Sequence, residues 1–209
     1  MTDAEELQGQ QIQAFATADD WERWLGAQSP DIPGLWLKLA KKGCDTPSID
    51  YATAVESALC FGWIDSLKRP YDESHWLQRF TPRKARSKWS RINRDKATAL
   101  IESGRMRPAG LREVELAKAD GRWDAAYESQ SSSTVPDDLQ AALDADPRAA
   151  EFFATLDKTN RYAVLYRVQE AKRADTRAKR IEKFVAMLHA HETIHSRRTT
   201  QKADDVTEK

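Results

Sequence analysis

Only two cysteines occur in the 209 residues, Cys44 and Cys60, and they form neither a CxxC pair nor the framework of a disulfide-stapled domain, which suits a reducing compartment. Glycine and proline number eight each, too few for a collagen-like or low-complexity chain. Long hydrophobic runs are missing as well. The longest, Leu59-Cys60-Phe61-Gly62-Trp63-Ile64, falls far short of the roughly 20 residues a membrane helix needs. The opening Met1-Thr2-Asp3-Ala4-Glu5-Glu6 is acidic and has neither the basic nor the apolar region of a secretory signal. No G-x-S-x-G, Walker A, G-x-G-x-x-G or HExxH pattern is present, so the residues name no reaction and imply no cofactor. These absences predict a cytoplasmic globular protein without a membrane span.

What the chain does have is seven Trp, six Phe and five Tyr, enough large apolar side chains for a core. Thr17-Ala18-Asp19-Asp20 reads as a helix start with Thr17 as N-cap, placing Trp21, Trp24 and Leu25 on one face. Gly34 to Ala40 alternates, with Leu35, Leu37 and Leu39 opposite Trp36, Lys38 and Ala40, as a strand does. A helix capped by Asp50 follows through Cys60 on the spacing of Tyr51, Val55, Ala58 and Leu59. Phe61 to Asp65 and His75 to Phe80 read as two more strands about a turn at Lys68-Arg69-Pro70-Tyr71-Asp72.

From Ser87 on the pattern is helical. One helix carries Trp89, Ile92, Leu100 and Ile101 and ends at Ser103-Gly104, and the next runs from Pro108 to Ala119. Thr134-Val135-Pro136-Asp137 and Asp146-Pro147 each open a short helix with proline in its first turn. Two longer helices follow, with stripes at Tyr162, Leu165 and Tyr166 and at Ile181, Phe184, Val185 and Leu188. The predicted fold class is α+β: a small three-stranded sheet with flanking helices, then an all-helical C-terminal half. The predicted limits are 1–128 for the α+β domain with its trailing helices, 129–134 for a Ser-rich linker, 135–195 for a helical module and 196–209 for a disordered tail.

A formal charge of zero conceals local polarity. Between residues 79 and 94 stand Arg79, Arg83, Lys84, Arg86, Lys88, Arg91 and Arg94 with no acid among them. Such a run needs an anionic partner. One candidate lies within the chain, since residues 1–33 hold seven acids and only one base, Arg23. The others are an anionic small molecule, an acidic protein partner or a nucleic-acid backbone, with Trp89 as the aromatic contact. Lys38, Trp63, Arg79, Arg83, Arg86, Lys88, Trp89 and Arg91 are therefore the candidate ligand-binding residues. A secondary basic cluster of Arg161, Lys172, Arg177 and Arg180 lies on the last two helices, where packing is the favoured use and Arg177 is placed to snorkel at the core edge.

His189, His191 and His195 diverge on a helix and have no Cys or acid at ligand spacing, so no metal is expected. Cys44 sits beside Lys41 and Lys42 without an identifiable base, and Cys60 lies in an apolar run. Asp65 is the single carboxylate that could act as a catalytic base, in a pocket lined by Trp36, Trp63 and Trp76; a salt bridge or turn cap is its commoner use.

Several long runs carry a resemblance. Gly34 to Gly43, Ala58 to Asp65, Trp76 to Arg83 and Gly104 to Gly110 resemble the bacterial YdeI/OmpD-associated, or bacteriocin-protection, family over a stretch from about Phe15 to His195. The name-giving helical module of that family corresponds here to Val135 to Leu188, with Asn160-Arg161-Tyr162, Ala171-Lys172-Arg173 and Thr176 to Ile181. The resemblance implies links to antimicrobial-peptide resistance and to a porin; it supplies neither a settled reaction nor catalytic residues. Thr53 and Ser57 stand where acids are expected in many relatives. The expected function is a non-enzymatic stress or resistance accessory protein binding an anion through the basic segment. A nucleic-acid-binding protein and an enzyme built on Asp65 are the alternatives.

Overall fold

The computed structural model describes residues 5–29, 31–128 and 133–196. Strand β1 (Glu6–Leu7) turns into β2 (Gln10–Gln13) through Gln8 and Gly9, whose φ angles of 57° and 69° belong to the two-residue hairpin turn that matches strand twist. Helix α1 (Ala18–Gly26) carries the chain across to β3 (Leu35–Ala40), which lies parallel to β2. Helix α2 (Tyr51–Cys60) precedes β4 (Trp63–Pro70) and β5 (His75–Pro82), and β5 inserts between β3 and β4, antiparallel to both. The mixed sheet has the order β1-β2-β3-β5-β4.

The class is α+β, but the described sheet has five strands where the sequence predicts three. The extra strands, β1 and β2, read Glu-Leu and Gln-Gln-Ile-Gln; with two apolar residues between them they give no alternating signal and are held by backbone pairing. The turn expected at 68–72 is also corrected. β4 continues to Pro70 after a register shift between Asp65 and Lys68, because an edge strand tolerates charges and a terminal proline.

Local signals place the helices. Thr17 and Asp50 accept hydrogen bonds from the Asp20 and Thr53 amides, closing the open ends of α1 and α2. Both helices cover the sheet face carrying Leu35, Leu37, Leu39 and Phe80, and the buried Trp21 indole donates to the Ala54 carbonyl at 3.1 Å. Helix α3 (Arg91–Glu102) starts at Ser90, not earlier, so Trp89 precedes it and Ile92 points outward. Helix α4 (Pro108–Ala119) packs with α3 on the same core through Ala97, Leu100, Val114 and Ala117.

The chain divides into two compact units, 1–126 and 127–209. The second contains α5 (Asp137–Asp144), α6 (Pro147–Ala154), α7 (Lys158–Glu170) and α8 (Ala174–His189) around its own core of Leu139, Leu143, Phe153, Val164, Leu165, Val168, Ile181, Phe184 and Leu188. Pro136 is itself the N-cap of α5, whereas Asp146 caps α6 with proline next, as the sequence suggests. The stripe on α7 is corrected: Asn160, Val164, Leu165 and Val168 are buried while Tyr162 and Tyr166 are half-buried. Most of the linker expected at 129–134 and the tail from 197 on lie outside the described residues. Among the described residues no helix is long and apolar enough to cross a membrane.

Candidate anion-binding site

The basic segment begins where β5 ends, and its loop is folded around its own tryptophan. The Arg83 amide donates to the Gly62 carbonyl at 2.9 Å, turning the chain inward. The Arg83 guanidinium then lies 3.5 Å from the centroid of Trp89 and donates to the Lys88 carbonyl at 3.3 Å. Trp89 is 2% exposed and meets Trp123 edge-on at 4.9 Å. The Ser87 hydroxyl accepts from the Lys84 amide at 2.9 Å, and Arg122, itself paired with Asp120, donates to the Ser87 carbonyl at 2.8 Å. Ser90 caps α3 by accepting from Asn93.

A cation over an indole ring is stabilised by the ring quadrupole, most strongly where water is excluded. Arg83 and Trp89 therefore build the loop, and the aromatic contact expected of Trp89 is occupied by Arg83 and Trp123. The outward side is different in kind: Lys84, Arg86, Lys88 and Arg91 are all exposed. Arg94 pairs with its neighbour Asp95 at 3.4 Å.

The partners that the acidic first third supplies to Arg79 are not its acids. Arg79 donates to the Gln10 side chain at 2.8 Å and to the Pro33 carbonyl at 3.2 Å, both neutral groups. Asp20 binds Thr17 and Arg23, Glu5 binds Tyr71, and Glu22 turns the other way. There the fully buried Ser57 donates to Glu22 at 2.8 Å, with Arg105 at 3.4 Å and Arg107 at 3.9 Å; Glu56 beside them holds Lys96 at 2.9 Å. This network joins residues up to 85 positions apart, from Glu22 to Arg107, and the sequence marks Ser57 in it as a departure from an expected acid.

The remaining candidates fall in separate places. Lys38 lies 4.4 Å over Tyr71, and Trp63 is 4% exposed in the core. Asp65 accepts from the Tyr51 hydroxyl at 2.6 Å, and burial with the carboxylate charge pushes the Tyr51 phenol up. The expected three-tryptophan pocket does not form, since Trp36 pairs with Arg79 on the sheet face opposite to Leu39 and its partner Trp76. The Cys44 thiol is pushed down chiefly by its hydrogen bonds with Thr46, and burial pushes Cys60 up.

In the helical unit, Arg177 makes a two-pronged bond to Asp138, at 2.8 Å on one oxygen, and donates to the Val168 carbonyl at 2.9 Å, joining α8 to α5 and α7. Arg161 lies 4.4 Å over Phe153, Arg180 donates to the Arg167 carbonyl, and Lys172 is exposed. His189 pairs with Asp146, His191 stacks on Phe152, and the His195 backbone bonds both ends of the Asn160 amide. Among the described residues no three His, Cys, Asp or Glu side chains are grouped to hold a metal.

With this geometry in hand, comparison with known proteins divides the chain as its two cores do. Residues 13–113 match the model of a domain of unknown function (DUF8412), which lies inside the α+β unit. No curated protein and no solved structure matches the chain. The second match falls on α5 to α8: residues 132–191 match the model of the bacteriocin-protection, YdeI or OmpD-associated family.

Proposed function

We propose that this chain is a non-catalytic, cytoplasmic accessory protein of stress or antimicrobial resistance that binds an anionic ligand or partner through Lys84, Arg86, Lys88 and Arg91. The observation that carries this reading is the division of labour in the loop. Arg83 and Trp89 are buried against each other, and the four cations are left on the outside of a backbone pinned by Ser87 and Arg122. A scaffold of this kind presents charge at fixed positions, so less ordering entropy is lost when an anion docks. The family name of the helical domain supplies the setting, protection against bacteriocins. The nucleic-acid alternative has less support, because burial of Trp89 removes the ring on which a base would stack.

The test is titration of the whole chain with inorganic phosphate and with a short single-stranded oligonucleotide, at low and high salt. Wild type binds, and the double variant K84E/R86E, which alters two exposed side chains, binds at least tenfold more weakly with an unchanged circular dichroism spectrum. Equal affinity in the two proteins overturns the assignment. Binding of the oligonucleotide alone, with a steep salt dependence, replaces it by the nucleic-acid reading.

A further inference from the structure

The sheet face turned away from α1 and α2 carries cations of its own. Leu35, Leu37, Leu39 and Phe80 face the helices, so the residues alternating with them, Trp36 and Lys38 on β3 and Leu77 and Arg79 on β5, face the other way. Leu77 pairs with Lys38 on one side and with Arg69 of β4 on the other, which sets Lys38, Leu77 and Arg69 in one row on that face. Arg79 is the next residue of β5 on the same face and stands opposite Trp36. It is therefore the diagonal neighbour of both Lys38 and Arg69, at about 7–8 Å between backbone positions, a span that long side chains close.

The side chains close it around Trp36. The Arg69 guanidinium lies 5.8 Å from the Trp36 centroid. Arg79 crosses β3 to donate to Gln10 of β2 at 2.8 Å and to the Pro33 carbonyl at 3.2 Å. Both guanidinium groups thus come to the Trp36 end of β3. Trp36 itself is fully buried, its indole donating to the Leu7 carbonyl at 3.1 Å, and forms the floor. Lys38 holds its ammonium 4.4 Å from the Tyr71 centroid, and the Tyr71 hydroxyl donates to Glu5. Rings, an amide and a carbonyl position the three cations, all of them neutral groups. Among the described residues none of the three forms an ion pair, and the Arg69 guanidinium makes no hydrogen bond.

A guanidinium held by a ring rather than by a carboxylate keeps its N–H fork for an oxyanion. Three cations gathered against one carboxylate, Glu5, repel one another, and a doubly charged anion between them relieves that repulsion. A phosphate monoester carries that charge near neutral pH and offers several acceptor oxygens. The cations surround one ring, so the face grips a single group instead of tracking the backbone of a polymer. We propose that this sheet face binds a small phosphate monoester, its phosphate on Arg69 and Arg79 with Lys38 alongside. The site shares no residue with the loop at 84–91 and does not depend on it.

The experiment uses inorganic phosphate as probe and isothermal titration calorimetry as readout, on the full chain carrying K84E and R86E so that the loop contributes nothing. The expected result is one saturable site in that background, with acetate, a single charge, at least tenfold weaker. Adding R69E is expected to weaken phosphate at least tenfold. Lys68 adjoins Arg69 but lies on the opposite face, over Trp76, so K68E is expected to change affinity by less than about twofold once salt screens the distant charge. Both side chains are exposed, and an unchanged circular dichroism spectrum shows that the fold is kept. Absence of binding at millimolar phosphate in the K84E/R86E background overturns the site whatever the fate of the loop. Equal losses from K68E and R69E, or equal affinity for acetate, overturn it as well, since either reports only the general field of a basic surface. The milder R69M, which removes charge without reversing it, is expected to weaken phosphate by a smaller factor; unchanged affinity there counts against the proposal.

Discussion

At the scale of single residues, the chemistry of a side chain and the use made of it diverge most at Arg83. It belongs to the densest basic run in the sequence, yet it is 7% exposed and spent on Trp89. Arg83→Ala is expected to cost about 1–2 kcal/mol through lost ring contact and packing. A urea titration followed by tryptophan fluorescence checks this, and the Trp89 emission should shift to longer wavelength as water enters. Asn160 is a second case. It is 2% exposed, its amide is bonded on both sides to the His195 backbone, and Asn160→Ala leaves those groups without partners at a cost of about 1–3 kcal/mol. Asp138 gives a pH prediction. The hydrogen bonds from Arg177 hold its carboxyl below the usual carboxylate range, against a smaller opposing effect of burial. A depressed folded-state value stabilises above the unfolded value near 4 and is lost as pH falls through the folded one. Because the Asp138 side chain is 46% exposed the effect is modest, under about 1 kcal/mol after solvent screening. The acid-side loss of stability should be shallower in Asp138→Asn, as measured by circular dichroism melts from pH 5 downward.

At the scale of elements, the tightest joint is the crossing of α4 over the end of α2. A Cβ added at Gly110 would stand 2.6 Å from the Leu59 carbonyl oxygen and closer still to that of Cys60, and backbone atoms cannot swing aside as a flexible side chain can. Gly110→Ala is therefore expected to destabilise the α+β unit by about 3 kcal/mol, the upper end for overpacking. A loss below about 1 kcal/mol in denaturant unfolding would show that α4 can lift without consequence. Elements were legible in the sequence to the degree that their signals are local. The caps Thr17, Asp50 and Asp146 act within three residues, and Pro108 opens α4 at its first position. Strands β1 and β2 are the opposite case, since nothing in Glu6–Leu7 or Gln10–Gln13 prefers extended backbone until β3 lies alongside.

At the scale of the whole molecule, the two units have separate cores and very different aromatic content. All seven tryptophans, from Trp21 to Trp123, fall within residues 1–126. Tryptophan fluorescence therefore reports the unfolding of the first unit, while far-ultraviolet circular dichroism reports both. Arg177→Ala removes the Asp138 and Val168 bonds that join three helices of the second unit, at about 1–2 kcal/mol after allowance for exposure. The expectation is a dichroism transition moved to lower denaturant with the fluorescence transition unchanged. Equal displacement of both signals would mean that the units unfold as one cooperative body.

The candidate sites divide along the same line. The caps at Thr17, Asp50 and Asp146, the alternation of Leu35, Leu37 and Leu39 and the uneven placement of charge are legible in the sequence alone, because each is written in residues that are neighbours along the chain. It took the folded chain to turn Arg83 and Trp89 inward, to put Trp36 and Trp76 on opposite sheet faces and to bring Glu22 to Arg105. The reason is physical: charges and rings scattered through a sequence carry no mark of where they will meet, and strand register and helix packing set the meeting of residues far apart along the chain.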